Sequence, residues 1–290
     1  FFKQKTAYEI SLGLVGSEMG EAPLEALKAQ AVAARSTLLA TYGRHHSGLF
    51  GICAEDHCQV YRGTAAETPE SRRAAEETAG LVLFWSEEVA DARFSKCCGG
   101  VSEEFWGAWE PKAVPYLRSK PDGEFRVYLF NEEDVRRFID EPPPAFCSGA
   151  PGFRWEARVS AERLGEIFAQ KTGFDLGKIT ELRVLARSRG GRVMRLLVVG
   201  ERGKRIVSRE LEVRRVLSET YLNSALFYIE KKGGEFVFRG AGWGHGGGMC
   251  QLGAAALAER GWDFRKILRH YYPGTELRKV GDDTFSRLLF

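Results

Sequence analysis

The run Pro23-Leu24-Glu25-Ala26-Leu27-Lys28-Ala29-Gln30-Ala31-Val32-Ala33-Ala34-Arg35 is the most informative stretch of this chain. Almost every residue in it is a strong helix former, and proline opens it at the one turn where a helix tolerates proline best. Leu24, Leu27, Ala31, Val32 and Leu38 form an apolar stripe at helical spacing. The alanines let other backbone approach closely. This helix, inside a mostly helical stretch 9–43, is therefore expected at the centre of the fold.

Around it the pattern alternates in blocks. Residues 44–63 read as loop and 69–78 as a second helix; strands are expected over 81–85 and 90–94. A Gly/Trp/Pro-rich loop fills 98–125, and a helix over 131–139 is broken by Pro142–Pro144. A helix over 161–172 precedes strands over 179–187 and 192–199, which turn at Gly190-Gly191. A short helix over 210–217, a hairpin of 227–231 with 235–239, and helices over 249–260 and 263–272 complete the reading. Blocks of helices and antiparallel strands, without strict βαβ alternation, predict an α+β fold with the alanine-rich helix central and the strands set around a substrate cleft. One domain is expected over 9–276, with a subdomain break near 140–150 and a C-terminal tail over 277–290.

With 290 residues, 44% hydrophobic, 12% aromatic and 28% charged, the chain can bury a core and is neither disordered nor low in complexity. No apolar run reaches the roughly 18 residues of a membrane-spanning helix. A net charge of +3, from 42 basic and 39 acidic residues, argues against nucleic acid as the partner. Residues 1–8 are expected to be a translated adapter peptide rather than part of the fold. Any signal peptide or membrane anchor would then be lost with the natural N-terminus.

Several residue groups suit chemistry. Glu18, packed beside Met19 just ahead of the central helix, is either a general acid with a raised pKa or an acid favoured by the helix N-terminus. Lys28 and Arg35, seven residues apart, share a helix face and suit either an anionic ligand or a solvated surface. The segment 240–253 holds seven glycines in fourteen residues around His245, which reads as a cleft residue. It lacks the Gly-Lys-Ser/Thr ending of a phosphate loop. Trp106, Trp109, Tyr116 and Trp243 suit sugar stacking or core filling. Of six cysteines, Cys53 and Cys58 flank His57 with His45 and His46 upstream, a set open to zinc, to disulfides or to free thiols. The paired Cys97-Cys98 suits a cross-link or a metal, and Cys97 or Cys250 with His57 or His245 gives a rival nucleophile–base reading.

Taken in order, these segments resemble the SpoIID/LytB family of stage II sporulation protein D and amidase enhancers. The resemblance rests on Ser17-Glu18-Met19 with 24–35, on Phe94-Ser95-Lys96-Cys97-Cys98-Gly99-Gly100, and on Pro115-Tyr116-Leu117-Arg118-Ser119. It continues through 242–254 and 267–275, so that it spans 14–276. It implies an extracytoplasmic protein that cuts peptidoglycan glycan strands as a lytic transglycosylase, or a non-catalytic enhancer of a cell-wall amidase. It also implies Glu18 as single acid/base, with Lys28, Arg35, Tyr116 and Arg118 lining the substrate site, to which the glycine-rich segment adds His245 as an expected cleft residue. Some relatives carry a zinc site of two Cys and two His; His46, Cys53, His57 and Cys58 form a similar set with different spacing. The chemistry itself needs no cofactor. Arg118 stands in place of a lysine, Gly20 in place of a proline, and Cys97, Cys98 and Cys250 where many relatives have serine or threonine.

Overall fold

The computed structural model describes Met19 and residues 22–43, 67–109 and 111–281. Glu18, His46, Cys53, His57 and Cys58 lie outside the described residues. The chain runs α1 (Leu24–Ala40), α2 (Pro69–Glu77), β1 (Leu81–Trp85), β2 (Glu88–Val89), β3 (Phe94–Ser95), α3 (Phe105–Ala108) and α4 (Glu132–Asp140). Next come β4 (Arg154–Ser160), α5 (Ala161–Thr172), β5 (Ile179–Arg187), β6 (Val193–Gly200), β7 (Gly203–Ser208) and α6 (Glu210–Val216). It ends with β8 (Phe227–Lys232), β9 (Glu235–Ala241), β10 (Met249–Cys250), α7 (Gln251–Glu259), α8 (Phe264–Tyr271) and β11 (Glu276–Lys279). This is an α+β chain, as its sequence predicts.

It divides into two compact units, one of residues 1–94 with 254–290 and one of 95–253, so the second is an insertion in the first. Residues 140–150, where the composition shift suggested a break, lie within the second unit.

In the first unit α1 buries thirteen of its 17 residues, including Leu27, Val32 and Leu38, and packs against α2, β1 and α8. Alanine on all sides makes this possible, since a helix without bulky side chains admits neighbours from every direction. Each buried leucine contributes about 2 kcal/mol of transfer free energy. Capping sets the other helix starts: Thr68 and Ser71 form a reciprocal capping box at α2, and Asp263 accepts the Lys266 N–H at α8. β1 is the middle strand of an antiparallel sheet, between β2 and β11. β11 reaches into the stretch read as a tail. The strand expected over 90–94 forms only at its end, where β3 begins at Phe94; ahead of it Arg93 folds back on Asp91, with side chains paired at 2.8 Å and Arg93 N–H donating to the Asp91 carbonyl.

The second unit holds two antiparallel three-stranded sheets, ordered β4-β9-β8 and β5-β6-β7. α5 and α6 pack on them over a core that includes Leu164, Phe168, Val198, Val213, Phe227 and Phe238. α5 starts on the Ser160 hydroxyl and stops at Gly173 in the left-handed conformation (φ +77). A smaller cluster joins α4 to β8 through Val135, Phe138 and Tyr228. β4 and β7 are strands that the sequence reading passed over.

Candidate functional site

Lys28 and Arg35 share α1 but are engaged differently. Lys28 Nζ lies 2.7 Å from Glu25 and 2.6 Å from Glu77. Burial works to lower its pKa, but hydrogen bonds to the two carboxylates outweigh that and hold it above the ordinary lysine value. Glu25 uses its second oxygen to accept the N–H of Phe264, tying α1 to the start of α8. Arg35 is 1% exposed and donates through Nη1 to the carbonyls of Thr78 at 3.0 Å and Leu81 at 2.8 Å. It thereby fastens α1 to the turn between α2 and β1.

In the second unit three backbone segments run side by side. Cys97 and Trp243 exchange N–H···O bonds of 3.1 and 2.8 Å, and Glu103 N–H donates to the Gly246 carbonyl at 2.9 Å. On its other side, the segment around Glu103 joins 117–120: Ser102 N–H donates to Lys120 O at 2.9 Å and Phe105 N–H to Leu117 O at 3.2 Å. The Ser102 hydroxyl donates to the Arg118 carbonyl at 3.0 Å. Residues 102–105 thus separate the segment carrying Tyr116 and Arg118 from the loop carrying His245. Tyr116 is buried, Arg118 exposed and His245 half-buried. The His245 ring meets Trp109 edge-on at 4.5 Å between centroids, and its Nδ1 accepts the Gly247 N–H at 3.0 Å. Nε2 is then the protonated nitrogen of the neutral ring. Trp243 and Trp106 are 46% and 37% exposed, and the Trp106 indole donates to Glu104, which also pairs with Arg189 at 3.5 Å.

The glycines of the loop have a physical reason. Gly242, Gly244, Gly246 and Gly248 all adopt positive φ, and a Cβ on Gly246 would meet Arg192 Nη2 at 1.8 Å. Arg192 is fully buried, as is Glu103 beside it, with Nη1 and Oε2 at 3.6 Å. Ser188 donates its hydroxyl to the same Glu103 oxygen, and Arg192 Nη2 donates to the Cys98 carbonyl at 3.0 Å. Burial pushes the Glu103 carboxyl up, against the pull of Arg192 and Ser188. This buttress beneath the loop escaped the sequence reading, because only folding brings residues 103, 188, 192 and 246 together.

Cys97, Cys98, Cys147 and Cys250 are free and buried in this unit. The Cys147 sulfur pushes the Cys97 thiol up to about 12, and burial pushes Cys98 and Cys250 up. Hydrogen bonding from Cys250, Cys97 and Cys98 holds Cys147 well below the ordinary thiol range. Cys97 and Cys250, the nucleophiles of the rival reading, are fully buried and out of reach of a substrate, which speaks against that reading.

A family model described as "Stage II sporulation protein" matches residues 8–85. The stage II sporulation protein D of Bacillus amyloliquefaciens is 27% identical over 291 residues, covering 94% of this chain and 74% of that protein. The chain is similar to the SpoIID family. A second model, "Domain of unknown function (DUF8618)", matches 103–248, half of the chain, and the chain belongs to that family. That match falls inside the inserted second unit, whereas the sporulation-protein match falls inside the first. The amidase enhancer of Bacillus subtilis (strain 168) is 28% identical over 287 residues, 91% of this chain and 40% of its own length. The chain therefore spans less than half of that relative. Among the described residues no helix is long and apolar enough to cross a membrane.

Proposed function

We propose that this chain works outside the cytoplasm on the bacterial cell wall, cutting peptidoglycan glycan strands as a lytic transglycosylase. The reading draws most support from the second unit, where Arg118 and His245 stand on segments flanking 102–105 and Trp106 and Trp243 are exposed. Exposed indoles offer apolar faces to sugar rings, and a guanidinium suits the lactyl carboxylate of a muramic acid stripped of its peptide. Glu18, preceding the central helix in sequence, is the proposed acid/base. Its carboxyl proton goes to the glycosidic oxygen as the bond from muramic C1 breaks. The carboxylate then takes the proton of the muramic 6-hydroxyl as that oxygen bonds to C1, closing a 1,6-anhydro ring. Water does not attack, so one carboxyl suffices where hydrolases need two. In this scheme Arg35 positions α1 through its carbonyl contacts, and Lys28 acts from within its carboxylate pair.

The similarity to a protein named amidase enhancer favours a second reading, a module that grips the glycan and stimulates a cell-wall amidase without chemistry of its own. Release of soluble fragments from peptide-free strands by the unmodified chain and by Glu18→Gln separates the two. Loss of release with strand binding retained supports the enzyme. Binding without release by either protein supports the enhancer.

A further inference from the structure

The interior of the second unit gathers a thiol set that the proposed chemistry does not use. The sulfurs of Cys98, Cys147 and Cys250 and a carboxylate oxygen of Asp122 all lie within 4.8 Å of one another, every residue buried. Cys98 Sγ is 3.7 Å from Cys147 Sγ and 3.2 Å from Asp122 Oδ2. Two thiolates bound at about 2.3 Å to a tetrahedral zinc sit about 3.8 Å apart, whereas a disulfide needs about 2.05 Å. The observed separation matches the first.

The surroundings suit anionic sulfur. Cys250 Sγ accepts N–H bonds from Cys98 at 3.2 Å and Gly253 at 3.3 Å, and Cys98 Sγ accepts one from Gly100 at 3.4 Å. Backbone donors of this kind favour the thiolate. Arg154 is held in place by the carbonyls of Gly99, Phe138, Ile139 and Phe153. A divalent ion with three thiolates and one carboxylate retains two negative charges, which the Arg154 guanidinium, fixed on the Gly99 carbonyl next to Cys98, partly offsets.

We propose that Cys98, Cys147, Cys250 and Asp122 bind one zinc ion in a closed, structural, tetrahedral site. Three thiolates in four donors select zinc over the hard cations that prefer oxygen. Binding releases to solvent whatever protons the thiols carry and leaves every sulfur in its reduced state. The ion joins segments far apart in sequence, and Cys250 follows directly on the glycine-rich loop, so the metal anchors the base of the loop that carries Trp243 and His245. The proposed ligands share no residue with the His46, Cys53, His57 and Cys58 set, and the proposal does not depend on the glycan-cutting reading.

The test uses the full chain carrying Cys53→Ser and Cys58→Ser, so that the other thiol pair contributes nothing. Elemental analysis of this protein should give one zinc per chain. Cobalt replacing it should show the intense near-ultraviolet sulfur-to-metal absorption and the visible bands of a tetrahedral thiolate site. Cys97→Ser should keep both signals, and Cys147→Ser should lose both. Should Cys147→Ser fail to fold, cobalt titration of the background protein reads the site alone. No metal and no cobalt bands in the folded background protein would overturn the proposal, as would an intact mass showing these thiols paired in disulfides. Loss of metal in Cys97→Ser but not in Asp122→Asn would overturn the ligand assignment.

Discussion

Replacing Gly246 by alanine tests the buttress under the glycine-rich loop. Gly246 has φ +74, and the added Cβ would sit 1.8 Å from Arg192 Nη2 and 2.3 Å from Cζ. Left-handed backbone alone costs a non-glycine residue about 1–2 kcal/mol. Arg192 has no room to step aside, because it is fully buried and shares its pocket with an equally buried Glu103. Displacing it leaves that carboxylate without its cation, which costs about 3–5 kcal/mol for a buried pair. The sum is about 4 kcal/mol or more, a large part of the roughly 5–15 kcal/mol that stabilises a domain. Gly173→Ala is the control: it has nearly the same φ, +77, in the same unit, and nothing lies within 4 Å of its Cβ position. Urea unfolding followed by tryptophan fluorescence reads both. With m of about 2–3 kcal/mol/M, Gly246→Ala should lower the midpoint by about 1.5 M or more and the control by about 0.5 M. Equal shifts would refute the steric argument and leave only backbone strain.

Arg35→Met removes a buried guanidinium from the carbonyls of Thr78 and Leu81 and should cost about 3 kcal/mol in thermal or urea unfolding. Arg35→Lys should recover little of it, since one ammonium does not reproduce the fork. Trp243→Ala, at a 46% exposed position, should change stability by less than about 0.5 kcal/mol while weakening glycan-strand binding about 3- to 10-fold, as measured by co-sedimentation. Lys232 and Arg136 hold the Glu230 carboxyl down at about 2, so its contribution is present above the ordinary carboxylate range and is lost as pH falls from about 4.5 through about 2. Glu230→Gln should flatten that acid limb of the stability–pH curve, modestly because the group is close to solvent.

Local chemistry explains which parts of the fold were readable. α1 announces itself through alanine and leucine, and α2, α5 and α8 through a Thr, Ser or Asp immediately before them. β4 carries a usable period-two signal in Trp155, Ala157 and Val159, but charged residues between them mask it. β7 lies mostly exposed and offers no apolar face to detect. The insertion was not readable because β11 closes the first unit by pairing Lys279 with Leu81, far apart in sequence. Of the site, His245 and the exposed tryptophans stood out, since a histidine among glycines is a local feature. The Glu103–Arg192 pair and the Cys98–Asp122–Cys147–Cys250 cluster did not, being assembled from distant segments.

The central claim is the chemistry at the cut end of the glycan. Strands stripped of stem peptides, incubated with the unmodified chain or with Glu18→Gln and analysed by mass spectrometry, reveal that end directly. The account predicts new 1,6-anhydro-muramic ends from the unmodified chain and none from the variant. Reducing ends in place of anhydro ends, or anhydro ends from both proteins, would contradict it.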